Sequence, residues 1–292
     1  MEFGFVGFGL IGGSIAKALK IAHPNCTITA TTRTLSVLEP AKKDGVVDNI
    51  VPTVNESFNN CDYIFLCTPV ITITQYLKQL KPFIKKSCII TDVGSVKGAI
   101  HKAVTQLDME DNFIGGHPMA GSELTGYLNS SADIMINAKY VITPTKKTTQ
   151  EQLQAYVQLV KDCKAYPVVM DYSLHDYTVA GISHVPHIIS ASLAKLVMDN
   201  DDNSHYMHLL AAGGFKDTTR IAASSPEMWE QICMTNVEPI ADMLERYIGS
   251  LQDILSEIKG HQGDAIYKLF EKSRDYRNTI TDRAKGSVEP SY

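Results

Sequence analysis

Gly7-Phe8-Gly9-Leu10-Ile11-Gly12-Gly13-Ser14 follows the apolar run of residues 1–6. It leads into residues 10–19, where apolar side chains recur at helical spacing (Ile11, Ile15, Ala18, Leu19). The stretch is thus a G-x-G-x-x-G between a strand and a helix, and each glycine has a task there. Gly7 permits a tight turn, Gly9 lets the backbone approach a pyrophosphate, and Gly12 lets the helix pack close to the strand. The helix N-terminus, at Leu10 and Ile11, faces the anion. The spacing predicts a dinucleotide-binding βαβ unit at the start of the chain.

Working outward, strand and helix patterns alternate. Residues 26–32 are rich in β-branched side chains, and residues 63–68 form a continuous apolar run closed by Pro69. Residues 88–93, 113–116, 140–143 and 166–170 read as further strands, with helix-period segments at 73–80 and 150–163 between some of them. Alternation of this kind predicts an α/β Rossmann-type, doubly wound, mostly parallel sheet that binds ligands at the carboxyl ends of its strands. Thr68 and Pro69 lie at one such end and are assigned to the cofactor site.

After Asp171 the strand patterns stop. Residues 177–199 read as one helix with an internal Pro186. Residues 236–258 carry an apolar stripe (Ile240, Met243, Leu244, Tyr247, Ile248, Leu251, Leu255, Ile258) that Gly260 ends. Two domains are expected, a dinucleotide-binding domain over 1–170 and an all-helical one over 171–292. The helical domain has more apolar surface than one packed face can bury, which predicts a homodimer joined through it.

The composition, 44% hydrophobic and 20% charged over 292 residues, is that of a soluble globular protein. A net charge of −5 argues against nucleic acid as partner, and an anionic substrate would need local cations. The six cysteines form no C-x-x-C pair, which suits reduced thiols in a cytoplasmic protein. No signal peptide or membrane span is expected. Residues 283–292 are polar and read as a frayed tail.

Four further segments carry candidate chemistry. Strand two should end on an acid if the cofactor is NAD, yet it ends on Thr31-Thr32-Arg33-Thr34. Thr32 and Arg33 suit a 2′-phosphate, so NADP is favoured over NAD. Asp92-Val93-Gly94-Ser95-Val96-Lys97 places Ser95 at the ligand crevice, unless its polar residues only cap a helix starting near Val96. Gly115-Gly116-His117-Pro118 sets a histidine between small residues at a strand end, where it can act as acid or base. In the helical half, His184 and His187 share a face, and Lys216 and Arg220 follow the Gly213-Gly214 break. His205 and His208 repeat the H-x-x-H spacing, but no accompanying signature supports a metal site.

In this order, the glycine fingerprint, Asp-Val-Gly-Ser-Val-Lys, Gly-Gly-His-Pro-Met-Ala-Gly-Ser-Glu, Ser-His-Val-Pro-His and Gly-Gly-Phe-Lys-Asp-Thr-Thr-Arg-Ile-Ala resemble the prephenate/arogenate dehydrogenase family of tyrosine biosynthesis. The resemblance runs from about Phe3 to Lys259, without a fused chorismate mutase or amino-acid-binding domain. It implies oxidative decarboxylation of a cyclohexadienyl dicarboxylate, either prephenate or arogenate. His117 would take the proton of the C4 hydroxyl, and Ser95 would bind that hydroxyl or orient His117. Arg220 and His187 would bind the carboxylates, with Lys216 as a further cation and Glu123 and His184 as orienting groups. Thr32-Arg33 departs from the commoner acidic pattern. A 3-hydroxy-acid or imine reductase would instead place a catalytic lysine or tyrosine in the helical domain. A non-catalytic nucleotide sensor would not need His117 together with Arg220.

Overall fold

The computed structural model describes residues 1–121 and 124–280. Five parallel strands form the first sheet, in the order β3-β2-β1-β4-β5. They are β1 (Glu2–Val6), β2 (Thr27–Thr31), β3 (Asn49–Ile50), β4 (Tyr63–Leu66) and β5 (Ile89–Asp92). The helices between them are α1 (Leu10–Ala22), α2 (Glu39–Lys43) and α3 (Val70–Leu80). Phe5, Ile28, Ile64, Leu66 and Ile90 are wholly buried, as expected for strands covered on both faces. One core cluster gathers Ile15 and Leu19 of α1 with Phe3, Phe5 and Phe65, and the other gathers Ile73, Leu77 and Leu80 of α3 with Val6 and Ile64. Each amphipathic helix thus covers the sheet with its apolar stripe.

After α4 (Gly98–Gln106) the chain enters a second, three-stranded sheet of β6 (Ile114–Pro118), β7 (Lys139–Pro144) and β8 (Tyr166–Val169). A single parallel bridge, Ile90 to Phe113, links its start to β5. β6 and β7 are antiparallel, whereas β7 and β8 are parallel. The connections decide this. A parallel pair needs a crossover, and α5 (Gln150–Asp162) supplies one between β7 and β8. Among its described residues, the link from β6 to β7 contains only short 3₁₀ turns, at Tyr127–Asn129 and Ala132–Met135. Both turns lie against α1, where Lys17 Nζ donates to the Ser130 carbonyl at 2.8 Å.

From residue 172 all described elements are helical: α6 (Tyr172–Val179), a π-helical turn (Ala180–His184), α7 (Val185–Asn200), α8 (Tyr206–Leu210), α9 (Gly213–Thr219), α10 (Pro226–Thr235), α11 (Val237–Lys259) and α12 (Gly263–Thr279). The segment expected as one helix with an internal proline is helical throughout, and its ladder widens just before Pro186, which has no N–H to give to residue 182. The chain divides into two compact units at Ile240–Ala241, so residues 171–240 belong with the sheets. α6 packs on β7 and α4, and α10 packs on α3. In the second unit the stripe of α11 is not buried: Ile248, Leu251, Leu255 and Ile258 are 44–57% exposed. All six cysteines are free thiols, four of them buried. No described helix is long and apolar enough to cross a membrane. The expected tail, residues 283–292, lies outside the described residues.

Candidate active site

The phosphate-binding turn has the backbone its glycines predict. Gly7 sits at φ +88°, where an added Cβ would lie 2.5 Å from the Cys67 carbonyl oxygen. Its N–H donates to the Thr31 carbonyl at 2.8 Å, so the turn abuts the end of β2. Nothing stands within 4 Å of a Cβ built at Gly9, whereas at Gly12 the Cys67 side chain is already 3.1 Å away. The backbone is thus open at Gly9 and tightly packed at Gly12. Leu10 and Ile11 begin α1 with no acidic residue in the first turn, leaving the positive end of the helix to an anion. Thr68, between β4 and Pro69 at the N-cap of α3, has a buried Oγ1 with no hydrogen-bond partner, a polar atom suited to a ligand hydroxyl or phosphate. Thr32 is half-buried and Arg33 exposed just past β2. These residues fit a dinucleotide laid across the turn.

A second cluster forms where β5, β6, α4 and α6 meet. Lys97 and Asp92 make an ion pair with both side chains fully buried. Lys97 Nζ also donates to the Gly116 carbonyl at 2.7 Å, and Asp92 Oδ2 accepts from Gly94 N at 2.8 Å. This pair clips the Ser95 loop to the strand that carries His117. Burial draws the Lys97 ammonium below its ordinary pKa, and Asp92 opposes the shift. Gly115 and Gly116 answer to packing. A Cβ on Gly116 would fall 2.7 Å from the Asp92 carbonyl and 2.8 Å from the Tyr140 hydroxyl, and one on Gly115 would overlap the Thr143 hydroxyl.

His117 Nδ1 lies 2.8 Å from Nε2 of His175. His175 Nδ1 lies 2.8 Å from Asp176 Oδ1. The Asp176 carboxylate accepts from Lys97 N at 2.8 Å and from Gly98 N at 2.7 Å, and so caps α4. The cap therefore comes from α6, and the polar loop before α4 does not supply it. Burial holds His117 well below the ordinary histidine pKa, with the charges of His175, Lys97 and His184 adding to the effect. It is a neutral imidazole at pH 7.

His184 and His187 share one face, as their spacing predicts. His187 stacks on Trp229 with ring centroids 3.9 Å apart, and His184 meets the same ring edge-on at 5.9 Å. Asn236 Nδ2 lies 3.0 Å from His184 Nδ1 and 2.9 Å from the Asp176 carbonyl. Burial lowers the His184 pKa to about 4. Desolvation also lowers that of His187, and the nearby Arg220 charge adds to this. Arg220 opens a 3₁₀ turn (Arg220–Ala223) directly after α9, and both it and Lys216 are exposed. Asp217 lies inside α9. Glu123 lies outside the described residues. Among the described residues no group of three or more His, Cys, Asp or Glu side chains could hold a metal ion.

The structure thus brings His117 together with His175 and Asp176, and His187 together with Trp229 and Arg220. In the sequence the His175-Asp176 pair stands near the start of the helical half. An acid beside a histidine was the signal that could have marked it. Trp229 and Asn236 carry no comparable signal, since only packing brings them to the site, and the segment from Asp92 to Lys97 points to Ser95 and not to the buried ion pair that flanks it.

The family described as "Prephenate dehydrogenase, nucleotide-binding domain" matches residues 15–169, and "Prephenate dehydrogenase, dimerization domain" matches residues 171–272. Prephenate dehydrogenase of Bacillus subtilis (strain 168) is 33% identical over 98% of this chain and 78% of its own length. The Lactococcus lactis subsp. cremoris enzyme of the same name is 34% identical over 98% and 79%. Among solved structures, Aquifex aeolicus prephenate dehydrogenase in complex with hydroxyphenyl propionate and NAD+ superposes with a TM-score of 0.91 at 28% identity, covering 96% of this chain and 98% of that one. Synechocystis arogenate dehydrogenase superposes with a TM-score of 0.86 at 31% identity, covering 96% and 100%.

Proposed function

The chain belongs to the prephenate dehydrogenase family, and from that premise we propose that it catalyses the NAD(P)-dependent oxidative decarboxylation of prephenate to 4-hydroxyphenylpyruvate. The observation that carries the proposal is His117 at the end of β6, half-buried, neutral, and held through Nδ1 by a histidine. Bound beside it, NAD(P) supplies the acceptor for the hydride that leaves C4. His117 takes the proton of the C4 hydroxyl as that hydride departs, which forms a carbonyl at C4. Loss of CO2 from C1 then sends its bonding pair through the ring to the C4 oxygen. His117 returns the proton there, leaving a phenol and a restored imidazole. Ser95, clipped next to β6 by Lys97 and Asp92, binds the same hydroxyl or orients His117.

Arg220 and His187 hold the substrate's carboxylates, with Lys216 as a further cation and the roles of orienting groups assigned to His184 and Glu123. The substrate brings two negative charges towards His117. They favour its protonated form and raise its basicity in the complex. Thr32 and Arg33 directly follow β2, and we read them as selecting NADP over NAD. We read residues 1–170 as the nucleotide-binding part and 171–292 as the part that binds substrate and joins two copies into a homodimer. The six free thiols suit an enzyme of the cytoplasm. Arogenate is a second reading, favoured by the likeness to the Synechocystis enzyme. Purified protein assayed for reduced cofactor with prephenate and arogenate, each with NAD and with NADP, separates the four combinations. No turnover with any of them would reject the proposal.

A further inference from the structure

We infer that His175 and Asp176 are positioning residues that fix the tautomer of His117 and so make its Nε2 the basic nitrogen. The inference rests on the reading of His117 as the base. It starts at Asp176, a 5%-exposed carboxylate on α6. Its Oδ1 faces Lys97 N at 2.8 Å and His175 Nδ1 at 2.8 Å, and its Oδ2 faces Gly98 N at 2.7 Å. The two backbone groups can only donate, and a carboxylate engaged in this way acts as acceptor. His175 must therefore place its proton on Nδ1.

Where fully buried His175 carries a single N–H, the one on Nδ1, its Nε2 keeps a lone pair. That lone pair lies 2.8 Å from His117 Nδ1. Two lone pairs would repel at this distance, so His117 donates from Nδ1. Nε2 is then left with its lone pair, and this is the nitrogen the relay does not use. One acceptor at the start of α4 thus sets the proton position two rings away. The titratable neighbours of His117 besides His175 are Lys97 and His184, and neither supplies a competing acceptor for Nδ1.

Capping α4 explains the two backbone bonds to Asp176 but needs neither the His175 contact nor the second imidazole. The adjacent bonds hold the relay still. Asn236 fixes the Asp176 carbonyl at 2.9 Å, and the Lys97–Asp92 pair fixes the strand beneath His117. Replacing Asp176 by its amide reverses the logic. An Asn Nδ2 can donate to His175 Nδ1, which moves the His175 proton to Nε2 and the His117 proton to the nitrogen meant to be basic. A wrong-tautomer imidazole of this kind lowers kcat by up to about 10⁴-fold.

The test is ring-nitrogen NMR of the full-length protein labelled with ¹⁵N-histidine, near neutral pH, with His117→Asn identifying the His117 signals. The expected spectrum shows His117 protonated at Nδ1 and bare at Nε2. In Asp176→Asn the proton should move to Nε2, and kcat should fall about 10²- to 10⁴-fold while both KM values stay within about threefold. A wild-type spectrum with the His117 proton on Nε2 overturns the inference, as does an Asp176→Asn enzyme with wild-type kcat. If Asp176→Asn does not fold, the wild-type spectrum decides alone. A His117→Asn enzyme that keeps its kcat defeats the reading of His117 as base, whereas the spectrum still reports whether the relay exists.

Discussion

His117 shows how one residue acquires its chemistry from its surroundings. The sequence places it between small residues at a strand end, which predicts an accessible ring. The structure gives the neighbouring glycines a different reason: β6 is pressed against Asp92, Tyr140 and Thr143, and no Cβ fits. The same packing desolvates the imidazole and keeps it neutral. A positioned acid–base group contributes about 10²–10⁴-fold to rate. His117→Asn should therefore lower kcat by about that factor while cofactor binding and melting temperature hold, because Asn keeps a donor for His175 without supplying a base. Steady-state kinetics with cofactor titration checks this, and a near-normal kcat would remove His117 from the reaction.

The elements divide into those that local pattern dictates and those that connections dictate. The strand–turn–helix at the start of the chain follows from glycine and apolar spacing alone, and α1 begins at Leu10 as the pattern requires. The pairing of β6 with β7 does not, since an apolar run carries no direction and only the missing crossover helix makes the pair antiparallel. The end of β2 bears on cofactor choice. Thr31 is buried, Thr32 half-buried and Arg33 exposed, and no acid stands there to bind a ribose hydroxyl. Arg33→Ala should raise KM for NADP by an order of magnitude or more, roughly the value of one charge-assisted bond to a phosphate, and barely change KM for NAD. A wild type that already prefers NAD, or equal effects on both cofactors, would reject the 2′-phosphate reading.

At the scale of the molecule, apolar surface and buried histidines set the expected behaviour. Leu209 and Leu210 are 71% and 73% exposed, Leu196 and Met198 59% and 68%, and the α11 stripe stands open beyond Ile240. So much exposed aliphatic surface is unfavourable for a monomer in water. The protein should run in light scattering near twice 32.2 kDa at low micromolar concentration, and a monomeric mass would sink the dimer. His101 and His184 are 5% and 1% exposed, and burial takes each from the usual 6.5 to about 4. Below pH 6.5 the unfolded chain takes up protons that the folded one refuses until about pH 4. Stability from these two residues is thus complete above 6.5 and lost as the pH falls through that window, on the order of 3 kcal/mol for each. Thermal melts from about pH 8 down to about pH 4.5 should show a steep fall in Tm below 6.5. A flat profile would mean that the rings are not held neutral.

The sequence by itself determined the nucleotide-binding turn, the alternating α/β half, the helical half and the identity of His117, His187 and Arg220 as candidates. These depend on local periodicity, glycine conformation and side-chain chemistry, all of which act over a few residues. Only the tertiary structure decided that Asp176 caps α4 from 78 residues away, that His175 stands between it and His117, and that Trp229 backs His187. Such partners are chosen by packing, because a buried polar group must find a hydrogen bond wherever the fold brings one within reach, and nothing in its sequence neighbours records which one that is.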